Sequence, residues 1–111
     1  MLKLLALLFI PTLALASPDL ALYKWKSRVL VIRSSDLGTL LAVRDKLKVH
    51  AMALHERDVV IVEDRTGDSF EIDLYGKDGG RKWQGGRDFK IETIIELIDS
   101  MPMRKEESRA P

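Results

Sequence analysis

Two aliphatic runs bounded by charge stand out along the chain, Arg28-Val29-Leu30-Val31-Ile32-Arg33 and Asp58-Val59-Val60-Ile61-Val62-Glu63. An unbroken β-branched run is the pattern of a strand buried on both faces, as parallel pairing produces. Between them Leu37, Leu40, Leu41, Leu47, Ala51 and Leu54 recur at helical spacing, with Arg44, Asp45, Lys46 and Lys48 mostly on the other side. The pattern predicts one helix joining two parallel strands, a β-α-β unit with a right-handed crossover.

The period then changes. Ser69 to Tyr75 alternates strictly, which predicts a strand with Phe70, Ile72 and Leu74 inward and Glu71 and Asp73 toward water. Within Gly76-Lys77-Asp78-Gly79-Gly80, the Asp-Gly pair offers the positive φ angles of a tight two-residue turn. The chain returns through a short strand, Arg81 to Gln84, and Gly85-Gly86 releases it into a loop. Ile91, Ile94, Ile95, Ile98 and Met101 form the apolar stripe of a last helix, which must stop before Pro102 because the residue preceding a proline is pushed out of helical geometry. The order β-α-β-β-β-α is that of an α/β, thioredoxin-like core with a mixed sheet and its middle helix missing, since Glu63 to Asp68 leaves no room for one. One face of the parallel strands then lacks a cover. Leu20, Leu22, Tyr23 and Trp25 of the N-terminal arm are the expected cover, or else a second subunit, so the chain is expected to be a monomer or a homodimer.

The ends change the picture. Lys3 followed by the apolar stretch Leu4 to Leu15, with Ala14-Leu15-Ala16 as an A-x-A site, predicts a signal peptide over residues 1–16 cleaved after Ala16. A run of about 12 apolar residues falls short of the ~20 that a spanning helix needs. The expected product is a periplasmic or secreted protein without a membrane anchor, with one domain over residues 17–104 and a disordered tail over residues 105–111. The chain has no cysteine, so neither disulfides nor a thiol-attached lipid are available and core packing alone must hold the fold. Without Lys3, 17 basic side chains balance 17 acidic ones, which gives no pull toward nucleic acid or an anionic membrane.

Four segments stand out together: Trp25 with Arg28 to Val31, Glu56-Arg57-Asp58, Gly76 to Gly80 with Lys82, and Ile98-Asp99-Ser100-Met101-Pro102-Met103-Arg104. Taken in this order they resemble a known family, the bacterial secreted proteins of the thioredoxin-like domain of unknown function number 4174, related to a peroxiredoxin-like domain of some animal extracellular matrix proteins. The resemblance implies a thioredoxin-like fold without an established activity. It also nominates Gly76, Lys77, Asp78, Gly79, Lys82, Arg57, Asp58 and Arg104 as binding residues.

No catalytic constellation is expected. Where a thioredoxin or peroxiredoxin would place its reactive cysteine, after the first strand, the chain reads Ser34-Ser35-Asp36-Leu37. A serine hydroxyl cannot replace a thiolate in disulfide exchange, and Ser35 or Asp36 is expected to cap the helix. His50 and His55 are five apart, unlike the i, i+4 pair of a zinc helix, so neither a metal nor another cofactor is expected. Lys77, Arg81, Lys82, Arg87 and Lys90 put five cations around the hairpin, where they would suit a small anionic ligand or an acidic loop of a partner protein. Met101 is expected to continue the core stripe, and Arg104 to pair with Asp99 or Glu63. The leading expectation is a non-catalytic binding or interaction module. The rival is a carboxylate-dependent hydrolase or other ligand-processing enzyme using acids such as Asp73 and Asp78.

Overall fold

In a computed structural model, which describes residues 9–11 and 19–109, the chain forms a five-stranded mixed sheet with helices packed on it. The strands are β1 (Phe9–Pro11), β2 (Arg28–Arg33), β3 (Val59–Asp64), β4 (Glu71–Tyr75) and β5 (Arg81–Gly85), in the spatial order β1-β3-β2-β4-β5. The β2 and β3 strands pair in parallel, while β4 runs antiparallel to both β2 and β5. The helices are α1 (Leu37–Lys48), α2 (Ala51–Glu56), α3 (Ile91–Asp99) and α4 (Pro102–Arg109), and a 3-10 turn spans Leu20–Tyr23. The mixed α/β class expected from the sequence is present. Most of the expected leader and its cleavage site at Ala16 lie outside the described residues; Phe9–Pro11 pair in parallel with Ile61 to Glu63 of β3.

Strand alternation divides the core in two. Leu30 and Ile32 of β2, Val59 and Ile61 of β3, and Ile72 and Leu74 of β4 face the helices, meeting Leu40, Val43 and Leu47 of α1, Leu54 of α2, and Ile91, Ile94 and Ile98 of α3. Burying each such side chain contributes roughly 1.5–3 kcal/mol, so this layer supplies most of the fold's cohesion. Val29, Val31 and Val62 point the other way and form a smaller cluster with Leu20, Tyr23, Val60 and Tyr75. The N-terminal arm therefore does cover this second face of the sheet, through Leu20 and Tyr23. Leu22 and Trp25 do not take part, being 68% and 64% exposed.

The structure corrects five local expectations. The single predicted helix is two, because the His50 N–H closes back on the Leu47 carbonyl, three residues away, and a new turn starts when Leu54 bonds to the His50 carbonyl. That restart returns Ala51 and Leu54 to the core, while Leu37, Leu41 and Val49 stay exposed. Second, the hairpin tip is not a two-residue turn with two positive φ angles. The Gly79 N–H bonds to the Gly76 carbonyl and Gly79 alone is left-handed, at φ 86°, with a bulge following in β5. This is a longer hairpin in which a left-handed glycine closes the turn, and the extra residue of the bulge, Lys82, comes later, between Arg81 and Trp83. Third, the Glu71 and Asp73 side of β4 is not simply wet: Asp73 is fully buried beneath Arg33 of the neighbouring strand. Fourth, the tail does not fray over residues 105–109, since α4 runs to Arg109. Pro102 occupies the first position of α4, where its missing N–H costs no hydrogen bond, and the Lys105 N–H bonds to the Met101 carbonyl. Fifth, the five hairpin cations do not gather in one place, as the site geometry shows.

Candidate functional site

The hairpin tip and the α3–α4 junction, remote in sequence, close on one another in space. They form the walls of a cleft of about 460 Å³, lined by Gly76, Lys77, Asp78 and Lys82 on one side and Ser100, Met101, Pro102 and Met103 on the other, with Arg28 among them. Each wall has a local cause. On the hairpin side, Asp78 Oδ1 accepts the Gly80 N–H at 2.9 Å and its Oδ2 accepts Lys82 Nζ at 2.8 Å, an arrangement that fixes the turn and pins the lysine along β5. On the helical side, Met101 packs half-buried against the main core while Met103, in the first turn of α4, is 42% exposed.

The charges around this cleft form one connected network. The Arg28 side chain, 1% exposed, donates from Nη1 to the Arg57 carbonyl at 2.8 Å and to Glu107 Oε1 at 3.1 Å, and from Nη2 to Glu107 Oε2 at 3.3 Å. Lys77 Nζ donates to Glu107 Oε2 and Asp58 Oδ2, both at 2.8 Å. Arg57 grips Asp99 with two bonds, Nε to Oδ1 at 2.8 Å and Nη2 to Oδ2 at 3.0 Å, and Arg104 reaches the same carboxylate at 3.4 Å. The Arg104–Asp99 pairing is one of the two expected from sequence; Glu63 pairs with Arg44 instead. Among the described residues the buried Arg28 Nε has no hydrogen-bond partner.

The titration of these groups follows from their surroundings. Burial alone would push the Glu107 carboxyl up, but hydrogen bonds from Arg28 and Lys77 outweigh it and hold the group below its ordinary value. Burial would likewise depress Lys77, yet Asp58 and Glu107 overcome it and raise the ammonium. Asp99 is held low chiefly by its hydrogen bonds with Arg57. All three groups are thereby fixed in their charged forms.

Of the residues nominated from sequence, Gly76, Lys77, Asp78 and Lys82 line the cleft. Asp58, Arg57 and Arg104 stand behind it in the network, and Gly79 belongs to a smaller hollow of about 250 Å³ beneath Leu20 and Tyr23. The N-terminal arm is tied to the same tip: Trp25, left-handed at φ 67°, donates its N–H to the Lys77 carbonyl at 2.6 Å. Arg81, Arg87 and Lys90 stay outside the cleft. Arg87 lines another one, of about 410 Å³, beside Asp36, Phe70 and Phe89 at the start of α1. Arg28 and Glu107 were missed. The first reads as the charged edge of a strand and the second as part of a polar tail, and only the fold joins them.

The other places where chemistry was weighed have structural occupations. The Ser34 hydroxyl accepts the Asp36 N–H at 3.1 Å, and Asp36 caps α1 by accepting the Thr39 N–H at 3.0 Å and its hydroxyl at 2.6 Å. His50 Nε2 lies 3.8 Å from Glu92 Oε2, and His55 sits in the last turn of α2. Asp73 shares the Arg33 guanidinium with Asp64 and Glu71 on the arm-covered side of the sheet, whereas Asp78 belongs to the hairpin tip, so the two acids of the hydrolase alternative serve separate clusters. Burial raises the Asp73 carboxyl, outweighing its hydrogen bond from Arg33.

No curated protein and no solved structure matches the chain. A family model does match, over residues 64–107, a stretch that runs from the end of β3 through the hairpin and α3 to Glu107 and so contains both walls of the cleft. The matched model is that of the Domain of unknown function (DUF4174), the family that the motifs of this stretch resemble.

Proposed function

We propose that the protein is an exported, non-catalytic binding module that receives its partner in the cleft between the hairpin tip and the α3–α4 junction. One observation carries this reading: the two most distinctive segments of the chain meet at a single concavity, through Gly76 to Asp78 on one side and Met101 to Met103 on the other. Its volume falls within the range of roughly 300–1,000 Å³ typical of small-molecule sites, and it combines apolar surface from the methionines with a few fixed charges. The charged groups are each committed to an ion pair that fixes position, and none is poised to abstract a proton. The leader-like residues 1–16 support export to the periplasm or beyond, and the strand order β3-β2-β4-β5 supports a thioredoxin-like core that has lost its middle helix and its reactive thiol.

The test is a fragment screen by amide-shift NMR, using neutral, cationic and anionic compounds, alongside turnover assays with generic ester, phosphate and peroxide substrates. Shifts should cluster at residues 76–82 and 100–103, with no turnover. Hits that cluster elsewhere, or turnover that survives purification, overturn the proposal.

A further inference from the structure

The helix α4 buries none of its residues, yet it ends the fold in an ordered position. What fastens it is charge. Arg104 reaches Asp99 and Glu56, and Glu107 crosses to the Arg28 guanidinium and the Lys77 ammonium. The Arg28 side chain is 1% exposed and that of Lys77 10% exposed. A buried cation requires an anion, because stripping its water is costly unless a partner replaces it. Asp58 reaches Lys77, but among the described residues Glu107 is the sole carboxylate on Arg28. Glu107 itself is 25% exposed, so it can swing toward solvent without unpacking any core side chain.

Met103 and Glu107 are four residues apart and therefore share one face of α4. A carboxylate taking the place of Glu107 would meet two cations at one end, while a short apolar body could lie along Met101 and Met103 in the adjoining cleft. Two cations around one carboxylate give a forked geometry that a neutral group does not reproduce. We propose that Arg28 and Lys77 form a carboxylate-binding site, that Glu107 is its internal occupant, and that the ligand is a small carboxylic acid with an apolar body which displaces it. This rests on the cleft being the binding surface.

The experiment uses the full chain with Glu107→Ala, and Glu107→Gln as a neutral variant of near-equal shape should the first fold poorly. Hexanoate, hexanamide and inorganic phosphate are titrated at constant ionic strength while the amides of Gly76, Lys77, Met101 and Met103 are followed. Hexanoate should bind either variant at least about tenfold more tightly than it binds the unaltered protein, a difference of about 1.4 kcal/mol. Hexanamide should gain nothing, and adding Lys77→Met should reverse most of the gain. An unchanged hexanoate affinity, an equal gain for hexanamide, or a larger gain for phosphate each overturns the carboxylate assignment. If neutral fragments still shift the cleft amides when hexanoate shows no gain, the cleft survives as the binding surface and only the role of Glu107 falls. If no compound shifts them, both readings fall.

Discussion

Removing Glu107 should destabilise the domain far more than its position on a terminal helix suggests. Glu107→Ala leaves the Arg28 guanidinium, 1% exposed, with the Arg57 carbonyl alone, whereas Lys77 keeps Asp58. Breaking a fully buried pair from one side costs roughly 3–5 kcal/mol. Glu107 is a quarter exposed and water can follow the departing carboxylate, so the expected cost is lower, about 2–3 kcal/mol. Arg28→Met should cost less, about 1–2 kcal/mol, because Glu107 retains Lys77 and access to solvent while the methionine keeps much of the buried volume. The double variant should then be no worse than Glu107→Ala alone, with a coupling of about 1–3 kcal/mol. Urea unfolding of the four proteins measures this directly. With a slope of about 1–3 kcal/mol per molar urea for a domain of this size, the midpoint of Glu107→Ala should fall by about 0.7–3 M. Costs that simply add, or a Glu107→Ala penalty under about 0.5 kcal/mol, would show that Arg28 is not an unpaired buried charge in the variant and that Glu107 does not hold it.

Gly79→Val should destabilise the domain by about 1–3 kcal/mol, because the position is left-handed at φ 86° while the space around its missing side chain is open enough for ordinary contact. Asp78→Ala removes two hydrogen bonds at an exposed tip and should cost less, so equal urea midpoints for the two variants would sink this account of the turn. The pH dependence of stability has two parts. Glu107 and Asp99 are held below their ordinary values, so their contribution is complete above about pH 5 and is lost as pH falls through their folded-state values. Asp73 is raised, so the folded state keeps its proton longer than the unfolded chain does and stability declines as pH rises above the ordinary aspartate value of 3.8. Asp73→Asn should therefore fare better against the unaltered protein at pH 7 than at pH 4, and an identical difference at both values contradicts the assignment. Deleting Asp19 to Lys24 should uncover Val29, Val31 and Val62 and promote association, which sedimentation can read; a truncated protein that stays monomeric and equally stable would show that the arm is not the cover.

How much of this was legible depends on the range of the interaction. The two parallel strands, the hairpin and α3 were readable because each is written in a local period, two for β4 and 3.6 for α3, and because the main core takes the same residues that set those periods. The break at Val49-His50 was not readable, since both segments keep apolar residues near helical spacing and only a three-residue closure separates them. Arg33 and Asp73 illustrate the other kind of failure. Alternation correctly put Asp73 opposite Leu74, but what lies on that side is set by the antiparallel register that places Val31 against Asp73 and Arg33 against Glu71. Strand alternation gives a side chain its face and register gives it its neighbours, and only the first is written locally.

The same distinction explains why the cleft was half seen. Its walls carry turn and helix-stop signals, which are local, so Gly76, Lys77, Asp78 and Lys82 could be nominated and the Met101 to Arg104 segment could be picked out as a motif, although its proline was read as ending a helix and not as starting α4. Its electrostatic core joins residues 79 positions apart, Arg28 and Glu107, through contacts that no period encodes. A terminal helix of mean polar character reads as a frayed tail when considered alone. It becomes ordered because two cations left dry by the meeting of β2 with the hairpin need a carboxylate. The order of α4 and the charge of the cleft are thus one physical fact, and a ligand able to satisfy those cations competes with the helix for them.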